Sequence, residues 1–404
     1  MTAGRRVTVL AACALLAAAS SAPAQDEAPR LSLRSSLKSS ALFSRMPDAP
    51  VLFPDRGSAE GFWRFRLEPT VRINDDVSVE VAVEQRLRAF LSQSGVSGVL
   101  PAEANAPFRI RQLDWELASG AHAQWRLEMD RAALHVRSGA VNLTVGRQAI
   151  GWGRGVLFGA VDVFSPFTPL EADREWRRGV DAVRADVKLA DRVSVDAVSA
   201  FGTDIDHSAF AGRLRGYAGR ADVEVVGGRR ARDMFAGATT SAAVGDAELH
   251  AEVAVFNTPA DVVTKAVAGG SYRVAAGSGI LLYVEYHYSG FGAARAADIL
   301  PRLADPDFQE RYLRGDTQIL GRHALAALAS YEFSPEWSSA LQWLQSPVDG
   351  SGVVVASATL TFGDRVSLLL SGYVPYGRTP VGPALGSDFG ASPSAAFVQL
   401  RIYD

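Results

Sequence analysis

The sequence predicts an all-β chain closed into a transmembrane, antiparallel up-and-down barrel. Three observations carry that prediction: period-two alternation along most of the chain, tight turns that alternate with long loops, and an export signal at the N-terminus. The alternation is clearest between Gly61 and Ile73. Trp63, Phe65, Leu67, Val71 and Ile73 share one face, with Pro69 among them, while Arg64, Arg66, Glu68, Thr70 and Arg72 share the other. Successive side chains of a strand point to opposite sides, so this segment has one apolar and one charged face. Asn74-Asp75-Asp76 supplies a turn, after which Val77, Val79, Val81 and Val83 oppose Ser78, Glu80 and Glu84, making a hairpin.

The same rhythm places strands near 30–43, 61–73, 77–90, 123–137, 140–152, 178–189, 191–201, 209–217, 221–229, 234–243, 247–256, 263–275, 280–290, 321–333, 337–346, 353–362, 365–375 and 393–403. That is about eighteen strands, with sixteen as the other count because 107–122 and 202–245 alternate less cleanly. Phe108 to Leu117 alternates (Leu113, Trp115 and Leu117 against Asp114 and Glu116), yet a full extra strand there would put the next long loop on the wrong rim. It is read as an upward extension of a strand or as a loop hairpin. Tight turns such as Ser138-Gly139, Gly245-Asp246 and Gly363-Asp364 alternate with longer connections at 44–60, 91–122, 153–177, 291–320 and 376–392. Short periplasmic turns on one rim and long extracellular loops on the other are the sidedness of an outer-membrane barrel. Within one loop, Arg302 to Arg314 has a short helical pattern that Pro301 and Pro306 weaken.

Arg5-Arg6, an apolar run from Val7 to Ala19 and the small-residue site Ala22-Pro23-Ala24 form a secretory signal with cleavage before Gln25. The expected organisation is a signal over 1–24 and one barrel domain over 25–404. A lipoprotein box at Leu10-Ala11-Ala12-Cys13 competes with this, although apolar sequence continues past it. Cys13 is the only cysteine, so the processed chain forms no disulfide and no Cys-ligated metal site. Beyond the signal no apolar run approaches the ~18 residues of a membrane helix. The net charge of −3 argues against a nucleic-acid partner. Lys38, Lys188 and Lys265 are the only lysines, so fixed positive charge rests on arginine, which pairs with carboxylates in planar geometry. A soluble β-sandwich also alternates. The signal, the unequal rims and the lack of a separate apolar set for so large a core weigh against it. Trp63, Tyr286, Tyr288, Trp337, Trp343, Tyr373, Tyr376 and Tyr403 lie near strand ends, where interfacial girdles form.

The stretch Val141–Asp186 organises the rest. Val141, Leu143 and Val145 alternate with Asn142 and Thr144, a Gly-broken cluster runs through Gly151-Trp152-Gly153-Arg154-Gly155, and a strand resumes near Arg177-Arg178-Gly179. A compact, charged loop near 153–177 between two strands can fold inward and constrict the bore. The candidate constriction residues are Arg147, Arg154, Asp162, Asp173, Arg174, Arg177, Arg178, Asp181 and Arg184, with Glu171 and Glu175 beside them. The competing reading is an extracellular loop held shut by its own ion pairs. The candidate lumen ladder comprises Arg64, Arg66, Glu80, Glu84, Arg86, Arg126 and Glu128, joined by Glu68, Arg72, Arg88, Arg137 and Asp186. Opposed arginines and carboxylates would create a transverse field for a polar or anionic solute, or would pair across strands and stiffen the wall. Glu248, His250 and Glu252 on one strand, with Glu285 and His287 on another, have zinc-compatible chemistry but suit wet lumen groups equally. No cofactor, metal or catalytic set is assigned, and no enzymatic activity is expected.

The run Gly146-Arg147-Gln148, Trp152-Gly153, Asp162-Val163-Phe164, Pro166-Phe167 and Arg177-Arg178-Gly179-Val180-Asp181 resembles bacterial outer-membrane barrels of the broad porin superfamily. Its Gly-Arg-Gln element also resembles the corresponding strand of alginate-export barrels. The resemblance covers about residues 120–190. It implies a Gram-negative outer-membrane location, with membrane lipid, the barrel-insertion machinery and small solutes as partners. One departure is the end of the chain, where Tyr403 is penultimate and Asp404 follows. Two functions are compatible: a porin-like channel for passive passage of small polar or charged solutes, or a non-conducting envelope barrel for polysaccharide export or assembly with loops 291–320 and 376–392 as contact surfaces. No oligomer interface is legible.

Overall fold

The structure, a computed structural model, describes residues 30–91, 106–382 and 384–404. The export signal expected at 1–24 lies outside them. The alternating segments become strands β1 (Leu31–Arg45), β2 (Gly57–Arg72), β3 (Val77–Phe90), β4 (Asp114–Ser119), β5 (Ala123–Ser138), β6 (Val141–Gln148), β7 (Val180–Ala190), β8 (Val193–Ala200), β9 (Ala209–Ala218) and β10 (Ala221–Arg230). They continue as β11 (Asp233–Val244), β12 (Ala247–Asn257), β13 (Val262–Val274), β14 (Ile280–Ser289), β15 (His323–Ser334), β16 (Trp337–Ser346), β17 (Ser351–Phe362), β18 (Val366–Tyr376) and β19 (Ser394–Tyr403). Eighteen of the nineteen form one closed antiparallel wall in chain order. β19 returns to β1, running from Ser36 opposite Tyr403 to Arg45 opposite Ser394, so the first and last strands of the wall leave no open edge between them.

β4 is the additional strand. It pairs with β5 from Asp114 opposite Glu128 to Ser119 opposite Gln124, above the point where β6 ends at Gln148. The ambiguous segment is therefore a loop hairpin set into the outer rim of the wall, and the strand count stays at eighteen. β6 stops four residues short of the expected end at residue 152, because Gly151 and Gly153 already belong to the inward loop. The short helix forms in two pieces, α1 (Ile299–Leu303) and α2 (Pro306–Arg314). Pro306 strengthens α2, since it stands at the helix start behind the Asp305 cap, where no intrahelical donor is needed.

Burial is inverted relative to a water-soluble protein. On β2, Arg64 and Arg66 point inward and are buried, while Trp63 and Phe65 point outward and are exposed. Val225, Val284 and Leu341 are more than half exposed on the outer face, whereas Glu285 is fully buried inside. An apolar exterior around a charged interior suits hydrocarbon and not water. Tyr373 and Tyr403 leave the expected girdle: Tyr373 is buried inside, and the Tyr403 hydroxyl donates to Glu175 at 2.6 Å.

β5 carries a bulge. Ala82 faces Arg131 and Val83 faces Met129, so Asp130 has no cross-strand partner. The parity of the strand switches there, and two consecutive charged side chains, Asp130 and Arg131, are both buried on the inside.

Val81 faces outward on β3, while Glu80 faces inward and meets His135 at 3.3 Å. Val81→Arg should therefore destabilise the membrane-inserted barrel by about 2–4 kcal/mol in denaturant unfolding from lipid vesicles. Glu80→Arg should insert normally. Equal insertion and stability of the two variants would contradict this orientation.

Candidate functional site

The connection between β6 and β7 turns into the barrel and is fastened to the inner wall in two lobes. The first, residues 152–162, faces β8 to β14. The Trp152 indole N–H donates to Asp196 at 3.2 Å, and the Arg154 guanidinium meets Asp222 at 2.7 Å and Glu224 at 3.0 Å. Glu252 accepts the backbone N–H groups of Arg154, Gly155, Ala160 and Val161, and Glu285 accepts those of Val156, Leu157 and Phe158. Two glycines make this wrap feasible. Gly153 has φ +106°, and a Cβ on Gly155 would run into the Phe158 carbonyl oxygen.

The second lobe, residues 165–179, faces β16, β19, β1, β2 and β5. The Pro169 carbonyl accepts from Gln342 at 3.1 Å, and Asp173 accepts from Lys38 at 2.8 Å and from Arg64. Lys38 lies 3.8 Å from the centre of the Trp176 ring, with Arg64 at 4.8 Å and Arg66 at 5.0 Å, so one indole receives three wall cations. Gly179 donates its N–H to Asp130 at 2.9 Å as the chain re-enters β7.

The expected constriction residues fall into distinct settings. Asp162 and Arg177 bridge the lobes at 2.5 Å, and burial pushes the Asp162 carboxyl up despite that partner. Burial also works against the charge of Asp173, but Arg64 and Lys38 outweigh it and hold this carboxyl below its ordinary range. Arg174 spends its guanidinium on the carbonyls of Val156, Thr168 and Pro169. Arg178 meets Glu128 at 3.2 Å. Arg184 pairs with Asp196 on the wall at 2.9 Å. Arg147 and Asp181 bind each other at 2.7 Å where β6 ends, and Arg147 also donates to the carbonyls of Arg111, Gln112 and Met129. They stand apart from the two lobes, stapling the rim segment to the wall.

Of the ladder, Arg66 bonds Glu84, Glu68 at 2.6 Å and Asp130 at 2.8 Å. Arg86 bonds Glu128, and Arg126 bonds Asp114 at 2.8 Å. Of the histidines and carboxylates weighed as zinc ligands, His250 lies between Glu248 at 3.3 Å and Glu285 at 3.2 Å, while Glu252 faces loop amides. Among the described residues no group of three or more His, Cys, Asp or Glu is arranged to hold a metal. Lys38, Trp176 and Arg109 escaped the sequence reading. Arg109 is buried and reaches Gly179 at 2.7 Å and Glu128 at 2.5 Å. Lys38 had one usable signal, a rare lysine on the alternating N-terminal strand.

Between the second lobe, β2, β3, β5 and the end of α2 lies a cavity of ≈ 140 Å³. It is lined by Arg64, Arg86, Arg177, Arg178 and Arg314, by Glu84, Glu128, Asp130 and Glu171, and by Phe167, Trp176 and Tyr312. Burial raises the Glu171 carboxyl above its ordinary range and lowers the Arg178 guanidinium. The space thus combines closely packed charge of both signs with aromatic faces.

No protein-family model and no curated protein matches this chain. Solved structures do. A BenF-like porin from Pseudomonas fluorescens Pf-5 superposes with TM-score 0.57 at 11% identity, over 93% of this chain and 98% of that one. OccAB4 of Acinetobacter baumannii gives TM-score 0.56 at 10% identity, over 93% and 98%. OccK9 (OpdG) of Pseudomonas aeruginosa gives TM-score 0.55 at 11% identity, over 93% and 98%. At such identities the likeness carries the architecture and nothing finer. The chain has the fold of these porins.

Proposed function

We propose that this protein is a porin-like channel of the Gram-negative outer membrane that passes small polar or charged solutes passively through a loop-lined constriction. The observation that carries the reading is the inward loop 149–179, fixed to opposite sides of the wall by Glu252, Glu285, Lys38 and Arg64. A solute entering between that loop and β2, β3 and β5 meets guanidinium and carboxylate groups on facing surfaces. Such a lining orients a dipolar or anionic solute by charge while its aromatic faces accept flat groups.

The loop expected to serve as an outward contact surface folds back towards the lumen. Arg311 on α2 binds Asp233 at 2.5 Å, and Gln318 accepts from the Gly159 amide at 3.1 Å and donates to the Phe167 carbonyl at 2.9 Å. A surface committed in this way favours a gate-side role over docking of a polysaccharide-export partner. The next loop joins the same chain of contacts, because Asp388 accepts the Leu320 amide at 3.2 Å and donates its own amide to Asp349 at 2.6 Å. Burial and the neighbouring Asp349 push the Asp388 carboxyl up to about 7.

In a planar bilayer the purified protein should give stepwise conductance. A Glu252→Ala, Glu285→Ala double variant, which strips the first lobe of its acceptors, should raise the unitary conductance severalfold. A wild-type protein silent at every voltage, or a double variant with unchanged conductance, would contradict the reading.

Charge in the cavity should set selectivity. Glu171→Gln should shift the reversal potential in a salt gradient towards anions, and Arg178→Gln towards cations. A solvent-screened charge of about 0.5–1 kcal/mol corresponds to roughly two- to fivefold in permeability ratio. Shifts of the same sign from both variants would exclude the cavity from the conduction path.

The raised Asp388 carboxyl makes the packing of the loop over 377–393 depend on pH. A folded value of about 7 against an ordinary 3.8 means the contribution is complete below 3.8 and lost as pH rises through 7. Hydrogen exchange in this loop should therefore be faster at about pH 8 than at about pH 5, beyond the intrinsic rate. Asp388→Asn should abolish the excess. An excess that persists in the variant would assign it to another group.

A further inference from the structure

Behind the first lobe, β13 and β14 turn three polar side chains inward that the constriction does not use. Lys265, 2% exposed, stands directly opposite Ser289, which is fully buried. His287, also fully buried, lies two residues before Ser289 on the same face. Side chains directly opposite and diagonal on one face of an antiparallel pair lie within reach of one another. Among the described residues, neither ring nitrogen of His287 nor the Ser289 hydroxyl has a hydrogen-bond partner, and Lys265 has no ion pair.

The carboxylates around this trio are already engaged. Both oxygens of Glu252 accept loop amides, as do both oxygens of Glu285, and Asp162 holds Arg177. Glu252 and Asp162 act on the Lys265 ammonium through their charge, but among the described residues no carboxylate stands within ion-pair distance of it. A buried ammonium with no direct partner is penalised, and so is each buried donor left without an acceptor. One ligand class removes these penalties together: an anion small enough to sit among the ammonium, an imidazole N–H and a hydroxyl. Phe158 of the loop stacks on the His287 ring at 4.8 Å, and it is buried together with Lys265, His287 and Ser289, so the place is enclosed and suits a compact anion.

We propose that Lys265, His287 and Ser289 form a binding site for a dehydrated halide, chloride under physiological conditions, enclosed between the wall and residues 154–161 of the constriction loop. The halide neutralises Lys265 and lets the loop pack over it. The site depends on the closed barrel and not on whether the channel conducts.

Bromide is the probe. Crystals of the full chain in sodium bromide should show an anomalous peak beside the Lys265 ammonium, in reach of the His287 ring and the Ser289 hydroxyl, and Lys265→Met should lose it. The unfolding midpoint of the detergent-solubilised barrel should be higher in sodium bromide than in sodium gluconate at equal ionic strength, with the difference gone in Lys265→Met. If Lys265→Met fails to fold, Ser289→Ala replaces it and should reduce bromide occupancy. A water at that position in wild type, equal wild-type midpoints in the two salts, or a bromide peak undiminished in the variants would overturn the proposal.

Discussion

Irregular backbone inside a barrel must find acceptors for its amide N–H groups, and this requirement shapes the interior. Seven consecutive or near-consecutive loop amides end on just two carboxylates, Glu252 and Glu285. Neither partner is stable alone in this setting. A buried carboxylate without donors would take up a proton or recruit a cation, and buried amides without acceptors would draw the loop back towards water. Together they form charge-assisted hydrogen bonds, which are stronger than neutral ones. The position of the loop, and with it the cavity against β2, β3 and β5, follows from where these two glutamates stand on the wall.

The interior is also divided by chemistry. Charged inward-facing residues are concentrated on β1 to β3, β5 and β7 to β14, while the apolar cluster of Leu344, Val353, Val355, Leu369, Tyr373 and Phe397 covers β16 to β19. Leu157, Phe158 and Ala160 of the first lobe pack against that cluster, and Leu170 of the second lobe adds to it. The second lobe then presents Asp173, Trp176 and Arg178 to the charged side. The loop therefore joins two unlike half-walls, each lobe carrying side chains that match what it touches.

Much of this was legible in the sequence, for a physical reason. Period-two alternation encodes which face meets lipid, and the eighteen wall strands follow it closely, including Arg64 and Arg66 inward against Trp63 and Phe65 outward. Loop lengths encode which rim is which. What alternation cannot encode is partnership across the barrel. Glu252 and Glu285 stood out as metal-compatible residues, yet their role as amide acceptors depends on a loop about a hundred residues away. Arg147 read as a pore residue because it is charged and sits beside the loop, but its donors are consumed by three backbone carbonyls and Asp181. The bulge at Asp130 was hidden for a related reason: the switch of parity there leaves a plausible apolar face on either side, Leu127 and Met129 before it, Ala132 and Leu134 after it.

The hairpin strand β4 and the segment before it tie the outer rim of the wall to the inward loop. Above the end of β6, the wall between β5 and β7 is completed by residues 106–119, with Phe108 accepting from the Asp181 amide and Leu113 from that of Met129. Phe108 and Leu113 hold positive φ of 54° and 50°, a conformation that bulky residues adopt only when their surroundings enforce it. For Phe108 those surroundings belong to the inward loop: it packs edge-on to Phe164 at 6.3 Å, and its neighbour Arg109 grips the Gly179 carbonyl. With the inward loop displaced, Phe108 and Arg109 would lose the contacts that hold them, so the form of the outer rim between β5 and β7 depends on what fills the bore.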